Sequence, residues 1–544
     1  MGRHGRETYY IVGEGVVGDD PGAAATRMEQ SVAADIQQFR FSRIGPQGSQ
    51  LGEANIRAVS KAMVAGDGAT KHDSGLPAGY TYLGQFIDHD LTRDITPGPL
   101  DRDARVVDLL QERSPSLDLD SLYGKGPSDP GDKKFYNGLR LKTGTTAPSF
   151  PTDGIANKAK PGFDLPRVGT GATKRARRRA LIPDVRNDEN LAVAQTHLAF
   201  IRFHNRVVDE LAADGVPVAQ RFAKARELVV KHYQWMIQTD FLPRLVDKAI
   251  VENVFTKGRK LFEVSPPVGS FPTMPVEFSV AAYRLGHSMI RDAYNWNRVF
   301  DNGAGSLELL FAFSGTGGNL DAGGDQSDPR SGELALPTNW ICDFRRLYDF
   351  REAGRLDLVP KPRAKKFNVA RRIDTLLAEP LARLPRGSIG FPGAVPQAHE
   401  LRLSYRNLRR AKKIHLATGQ QMVDLLNARG VPVKALTPAQ ILNGKDGAKL
   451  GGLTVTQKAT VGRNTPLWFY ILREAELNGG KLTGVGGRIV AETFHRAIEG
   501  SQDSILKDRA FRPTLGPNAM TFRMVDLLLF AFEGKAALLN PLGD

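Results

Sequence analysis

The chain has 544 residues, 41% of them hydrophobic and 24% charged, which is the composition of an ordinary globular protein with a large core. Its single cysteine, Cys342, excludes an intramolecular disulfide and with it the disulfide-stapled secreted scaffolds. The formal charge is +15, with basic clusters at 174–179, 361–366 and 406–413. No aromatic interleaving or nucleic-acid motif accompanies them, so no nucleic-acid partner is expected and the first two clusters read as solvated faces. A positive field also draws small anions inward. The first residues lack the apolar core of a signal peptide, and no run approaches the roughly 18 apolar residues of a membrane span. The expectation is a protein without a transmembrane segment, cytoplasmic or exported by a non-classical route.

In chain order, residues 1–75 read as an N-terminal extension with helical pieces at 23–39 and 53–64, and residues 76–544 as the main domain. The stretch 80–92, Tyr-Thr-Tyr-Leu-Gly-Gln-Phe-Ile-Asp-His-Asp-Leu-Thr, has helical apolar spacing. On a helix Gln85, Asp88 and His89 share one face, and Asp90 is turned about 100° from His89. One short helix thus serves a His-centred pocket and a separate carboxylate site, unless His89 is only a satisfied core histidine. After a Ser/Asp loop at 113–124, residues 125–183 read as an irregular surface excursion. Helices follow at 190–213, 218–239 and 275–296, the last with Val280, Tyr283, His287 and Ile290 in register. Beyond a Gly-rich stretch at 303–332, helices resume at 369–384, 401–416, 420–427, 465–478, 487–500 and 521–532. Strand-like alternation is scarce and there is no βα rhythm. The expected fold is mainly α, one large domain with long irregular loops and little β.

Several constellations carry possible chemistry. The Gly-rich run 315–324 lacks the strand–turn–helix context and the Gly-Lys-Ser/Thr element of a nucleotide loop, and no Gly-x-Ser-x-Gly elbow is present. Ser114, Ser116, Asp118 and Asp120 place an oxygen-bearing side chain at every second residue. With Asp90 they form the oxygen-only set that Ca²⁺ prefers, though not an EF-hand; a surface turn is the plainer reading. Arg186 and Glu189 are three apart and can face one pocket, or Asp188 and Glu189 can cap the helix that follows. His287 follows Gly286, which lets a flat group approach closely, and a neutral imidazole there can ligate a metal. Asn407 can hold that imidazole through its other nitrogen.

Together these pieces resemble a known family. Gly84-Gln85-Phe86-Ile87-Asp88-His89-Asp90-Leu91 is similar to the distal-helix motif of the animal-type haem peroxidases, in the peroxidase–cyclooxygenase superfamily. The loop ending Leu122-Tyr123-Gly124, Arg186 with Glu189, Arg284-Leu285-Gly286-His287, and Asn407 with Arg410 follow in the matching order, over roughly 76–532. The resemblance implies haem b and Ca²⁺ as cofactors. It implies hydrogen peroxide reduced through a ferryl intermediate, and halides, thiocyanate or phenols oxidised. By it, His287 is the iron ligand and Asn407 its partner, and Arg284 and Arg410 lie near the haem propionates. His89 is the distal base, Arg186 the distal arginine and Gln85 the distal glutamine. Asp88 and Glu189 are the carboxylates that form ester links to haem methyl groups. Asp90, Ser114, the Ser116 carbonyl, Asp118 and Asp120 hold calcium. The sulfonium link of myeloperoxidase is not expected, because Asn190 stands where a Met is needed. Arg284 occupies the position of the radical-forming Tyr of cyclooxygenases and fatty-acid dioxygenases, and Tyr283 is one residue off register. A peroxidase is therefore expected over a lipid dioxygenase. A haem-binding protein without turnover is disfavoured because Gln85, His89 and Arg186 are all present.

Overall fold

The computed structural model describes residues 9–11, 15–17, 39–65, 72–96, 103–149, 158–172, 174–316, 334–384 and 397–544. Most of the helix expected at 23–39, and much of the Gly-rich stretch at 303–332, lie outside these residues.

The eight helices that position the site are α1 (Glu53–Ala62), α2 (Gly79–Leu91), α3 (Leu191–Ala213), α4 (Val218–Met236), α5 (Leu403–Lys413), α6 (Leu467–Leu477), α7 (Gly484–Gly500) and α8 (Met524–Ala531). Among the described residues the strands are two to five residues long and form only two-stranded pairs, so helix packing carries the fold.

At the centre stands α3. Its apolar residues recur closely enough to bury almost every face, and α2, α4 and α8 pack around it. Asn190 caps its start, accepting from Val193 N at 3.0 Å. Where α2 crosses α3, Phe86 stacks on Phe200 at 4.4 Å, and Tyr233 of α4 meets Phe200 edge-on at 5.6 Å. Gly79 starts α2 against the Tyr348 ring, whose hydroxyl donates to its carbonyl at 2.8 Å. A Cβ on Gly79 would lie 2.3 Å from that ring, so no larger residue fits without moving it.

The chain order of the elements agrees with the sequence reading, and four segments differ. The expected helix at 275–296 is broken. Helical residues 276–279 end at Val280, Ala281 leaves the helical region at φ −133° and ψ −74°, and a 3-10 turn (Ala282–Leu285) leads into a short helix (Gly286–Met289). Ring packing of Tyr283 on Phe278 (4.6 Å) and Phe494 (5.3 Å) holds this broken path. The expected helix at 369–384 is instead a strand, Val369–Arg371, paired antiparallel with Asp73–Pro77, and Pro380 then opens a 3-10 turn. The excursion at 125–183 is not all surface: Phe135, Tyr136, Leu141 and Leu165 join the core. In the basic cluster at 174–179, Arg178 is buried and donates to the carbonyls of Ala312 and Ser314. It ties two segments together and is not part of a solvated face.

The segment before α2 is also packed. Phe41, Ile56, Val59 and Met63 are buried in the main core, and α5 packs on α1. Among the described residues no helix is long and apolar enough to cross a membrane.

Candidate functional site

Two adjoining cavities lie beside α2. The larger, about 690 Å³, is lined by Tyr80, Gln85, Asp88, His89, Phe241, Tyr283, Arg284, Gly286 and His287 among others. The smaller, about 550 Å³, is lined by Asp88, His89, Arg186, Glu189, Arg284 and Arg410 among others. Asp88, His89, Ser279 and Arg284 border both. The helical spacing of α2 is what turns Gln85, Asp88 and His89 toward the same space.

His89 is almost fully buried, and its Nδ1 lies 2.8 Å from Asn187 Oδ1. An amide oxygen only accepts, so Nδ1 carries the proton and Nε2 keeps its lone pair. Nε2 is 3.7 Å from Glu189 Oε1, too far for a hydrogen bond. Burial and then the Arg186 charge push the His89 pKa down to about 3, so the ring is neutral at ordinary pH. Asn187 Nδ2 donates in turn to His197 Nδ1 at 2.9 Å.

Arg186 is held by Asp184, which accepts from its Nη2 at 2.7 Å and from its backbone N at 3.0 Å. Arg186 Nη2 also donates to the His89 carbonyl at 3.0 Å, and Arg113 Nε donates to Asp184 at 3.0 Å. Burial opposes the Asp184 charge, but Arg186 and Arg113 hold its carboxyl well below the usual range. Nη1 of Arg186 takes part in none of these bonds, and the side chain lines the smaller cavity.

Glu189 accepts a short hydrogen bond from Gln85 Nε2, and Asn190 Nδ2 donates to Gln85 Oε1 at 3.0 Å. Burial pushes the Glu189 pKa up to about 8 and raises that of Asp88. Asp88 accepts from Thr92 Oγ1 at 3.2 Å.

Across the larger cavity, Asn407 Nδ2 lies 2.9 Å from His287 Nδ1, and Arg284 Nη1 donates to Asn407 Oδ1. Arg410 is ion-paired with Asp94 and lines the smaller cavity. Burial, then Arg284, lowers the His287 pKa to about 3. In this arrangement His287 Nδ1 accepts, which leaves the proton on Nε2. A Cβ at Gly286 would meet no protein atom within 4 Å, so the cavity comes up to the backbone there.

The sequence places Tyr283 about 100° away from the position three residues before His287, on the premise of a continuous helix. The 3-10 turn removes that premise. Tyr283 lines the larger cavity, and among the described residues its hydroxyl has no hydrogen-bond partner.

The oxygen-rich loop lies on the far side of α2. Ser114 and Ser116 share a short hydrogen bond, and Ser116 Oγ donates to Asp118 at 2.8 Å. Asp90 accepts from Leu119 N at 3.1 Å and Ser121 N at 3.3 Å. Leu119 takes a left-handed conformation, φ 58°, to present its amide. Burial and then Asp120 raise Asp90 well above the carboxylate range and Asp118 to about 6, and burial raises Asp120. Among the described residues no group of three His, Cys, Asp or Glu side chains converges closely enough to hold a metal ion.

Sequence reasoning missed Asp184, Asn187 and His197. The run Pro183-Asp-Val-Arg-Asn carries the first two in plain view. His197 lies ten residues further on, and only folding brings it to Asn187.

A sequence profile described as animal haem peroxidase matches residues 100–314. A peroxidase-like protein of Margaritifera margaritifera is 33% identical over 116 residues, covering 21% of this chain and 14% of that protein. The peroxidasin homolog pxn-2 of Caenorhabditis elegans is 24% identical over 330 residues, covering 48% of this chain and 24% of its own. The chain thus aligns with less than a quarter of the length of these relatives. Among solved structures, a fatty acid alpha-dioxygenase of Arabidopsis thaliana superimposes with a TM-score of 0.54 at 12% identity, covering 89% of this chain and 76% of that one; this likeness is one of fold. Residues 100–314 therefore resemble the animal haem peroxidases in sequence, and the whole chain shares its fold with the alpha-dioxygenase.

Proposed function

We propose that the chain is a haem peroxidase that reduces hydrogen peroxide and oxidises small anions or phenols. The observation that carries this reading is a pair of neutral imidazoles facing one cavity, with His89 Nε2 kept as a free lone pair by the Asn187 bond.

The residues present fit haem. His287 offers an imidazole beside an open glycine, Arg284 and Arg410 supply cations for two propionates, and the cavity is large enough for a flat macrocycle. Ligation through Nε2 needs the His287 proton on Nδ1 and therefore the oxygen of Asn407 turned toward it. Arg284 occupies that oxygen here, and a propionate gives Arg284 another partner. When bound, haem supplies the iron at which the peroxide oxygen–oxygen bond is broken.

His89 Nε2 takes a proton from one peroxide oxygen and returns it to the leaving oxygen, work worth about 10²–10⁴-fold in rate. Arg186, fixed by Asp184, stabilises the charge that develops on the leaving oxygen. Gln85, held between Glu189 and Asn190, orders the water beside them. Asp88 and Glu189 are assigned to the ester links. Asp90, Ser114, the Ser116 carbonyl, Asp118 and Asp120 are assigned to calcium; in support, the Asp120 charge raises the pKa of both Asp90 and Asp118, and Asp118 raises that of Asp90.

A second reading, a fatty-acid dioxygenase, is favoured by one observation. Tyr283 lies in the larger cavity with a free hydroxyl, beside Phe241, Leu245, Leu285, Met289 and Ile290. One assay separates the two. A peroxidase turns over bromide, thiocyanate or phenols only with added peroxide and is indifferent to Tyr283→Phe. Oxygen uptake with linoleate and no added peroxide, abolished by Tyr283→Phe, would establish the dioxygenase. Absence of a Soret band after haem reconstitution would refute both.

A further inference from the structure

His197 of α3 is fully buried, and among the described residues its Nε2 has no hydrogen-bond partner. A buried N–H left unmatched is costly. What the ring does at its other nitrogen is therefore of interest: Nδ1 accepts from Asn187 Nδ2 at 2.9 Å, while Asn187 Oδ1 accepts from His89 Nδ1 at 2.8 Å.

A primary amide has one accepting end and one donating end. While Nδ2 is engaged by His197, the oxygen must face His89. The reversed amide would present NH₂ to His89 Nδ1, drive the imidazole proton to Nε2, and remove the lone pair that faces the cavity. Among the described contacts the Asn187 amide makes only these two bonds, so nothing else sets its orientation. Phe86 lies edge-to-face with the His197 ring at 5.7 Å and fixes where Nδ1 points. Burial keeps that ring neutral, with its pKa lowered to about 3, so it has one accepting nitrogen, and the Asn187 Nδ2 contact places that acceptor at Nδ1.

We propose that His197 is a positioning residue that sets the tautomer of His89 through Asn187, and so keeps the distal base in its proton-accepting form. This rests on the reading of His89 as that base.

The test uses cyanide, which arrives as HCN and must give its proton to the distal base before it binds as the anion. Its association rate, followed at the Soret band of the haem-loaded full chain, reads the base without turnover. The variant His197→Phe keeps a ring and removes the acceptor; association is expected to slow by about tenfold or more. The variant His197→Gln keeps an acceptor for Asn187 Nδ2 and is expected to restore the rate to within about threefold of wild type, on the same acid–base scale. In ¹⁵N-histidine-labelled full chain, studied as the diamagnetic ferrous carbonyl where haem is bound, His89 of the wild type is expected protonated on Nδ1 alone. In His197→Phe a population protonated on Nε2 is expected. Equal cyanide rates in wild type and His197→Phe would overturn the proposal. So would equal losses in both variants with the His89 tautomer unchanged, since that pattern marks packing alone. A wild-type chain with no Soret band defeats the peroxidase reading instead, and the nitrogen shifts then decide the relay without it.

Discussion

Replacing Asp184 by asparagine keeps the side-chain shape and removes one charge from the most concentrated ionic contact in the site. Asp184 is fully buried between Arg186 and Arg113, themselves 4% and 9% exposed, and accepts from both. In Asp184→Asn the two guanidinium groups stay buried without their anion, and one oxygen becomes an NH₂ pointed at N–H donors. Breaking a buried pair in this way costs about 3–5 kcal/mol. Unfolding entropy near 2.1 cal/mol/K per residue gives a chain of this length about 1 kcal/mol per degree. The expected fall in Tm is therefore about 3–5 °C, read by calorimetry. The sign with pH also follows. A carboxyl depressed in the folded state stabilises above its unfolded pKa, about 4, and that contribution is lost only as pH falls toward its folded value. The difference between the two proteins should be constant from about pH 5 to 8 and narrow only in acid. A shift below about 1 °C, or a difference that grows between pH 5 and 8, would refute the reasoning.

Other outcomes follow from the same geometry. Histidines 89, 197 and 204 are buried and neutral, with pKa values lowered to about 3, 3 and 4. Each therefore removes about 1.4 kcal/mol of stability per pH unit as pH falls below about 6.5, toward its folded value. Glu189, raised to about 8, acts in the opposite sense over the same range, so urea titrations at pH 7 and pH 5 compare the wild type with His204→Gln; the wild type is expected to lose more stability on acidification, and an equal loss in both would contradict it. After peroxide treatment, haem is expected to resist acid–acetone extraction from the wild type and to become extractable in the double variant Asp88→Asn, Glu189→Gln. Removal of calcium by EDTA is expected to alter the Soret band and slow the peroxide reaction, because Asp90 directly follows His89 on α2; an unchanged spectrum and rate would separate the two sites.

Where the sequence was legible, periodic spacing decided the geometry. Gln85, Asp88 and His89 are three and four apart on an unbroken helix, so helical arithmetic alone aimed them into one cavity. Asn190 sits where an N-cap belongs and is one. The same arithmetic failed at 275–296, because aromatic packing between Phe278, Tyr283 and Phe494 outweighs local helix preference there. It failed again at Val369–Arg371, where pairing with Asp73–Pro77 decides between strand and helix across nearly 300 residues. The His89–Asn187–His197 relay was not legible, since satisfaction of buried polar atoms depends on who meets whom after folding.

Asn190 shows how tightly this site limits redesign. Under the proposed reading, in which Asp88 and Glu189 would tether haem, a thioether at this position is the obvious graft for a third covalent link. Yet the asparagine has two jobs at once, capping α3 with its oxygen and steadying Gln85 with its amide nitrogen. Asn190→Met would surrender about 0.5–2 kcal/mol of helix capping and loosen Gln85 in the same stroke. The graft would need a second cap built elsewhere, so the tether is not a one-mutation distance from this sequence.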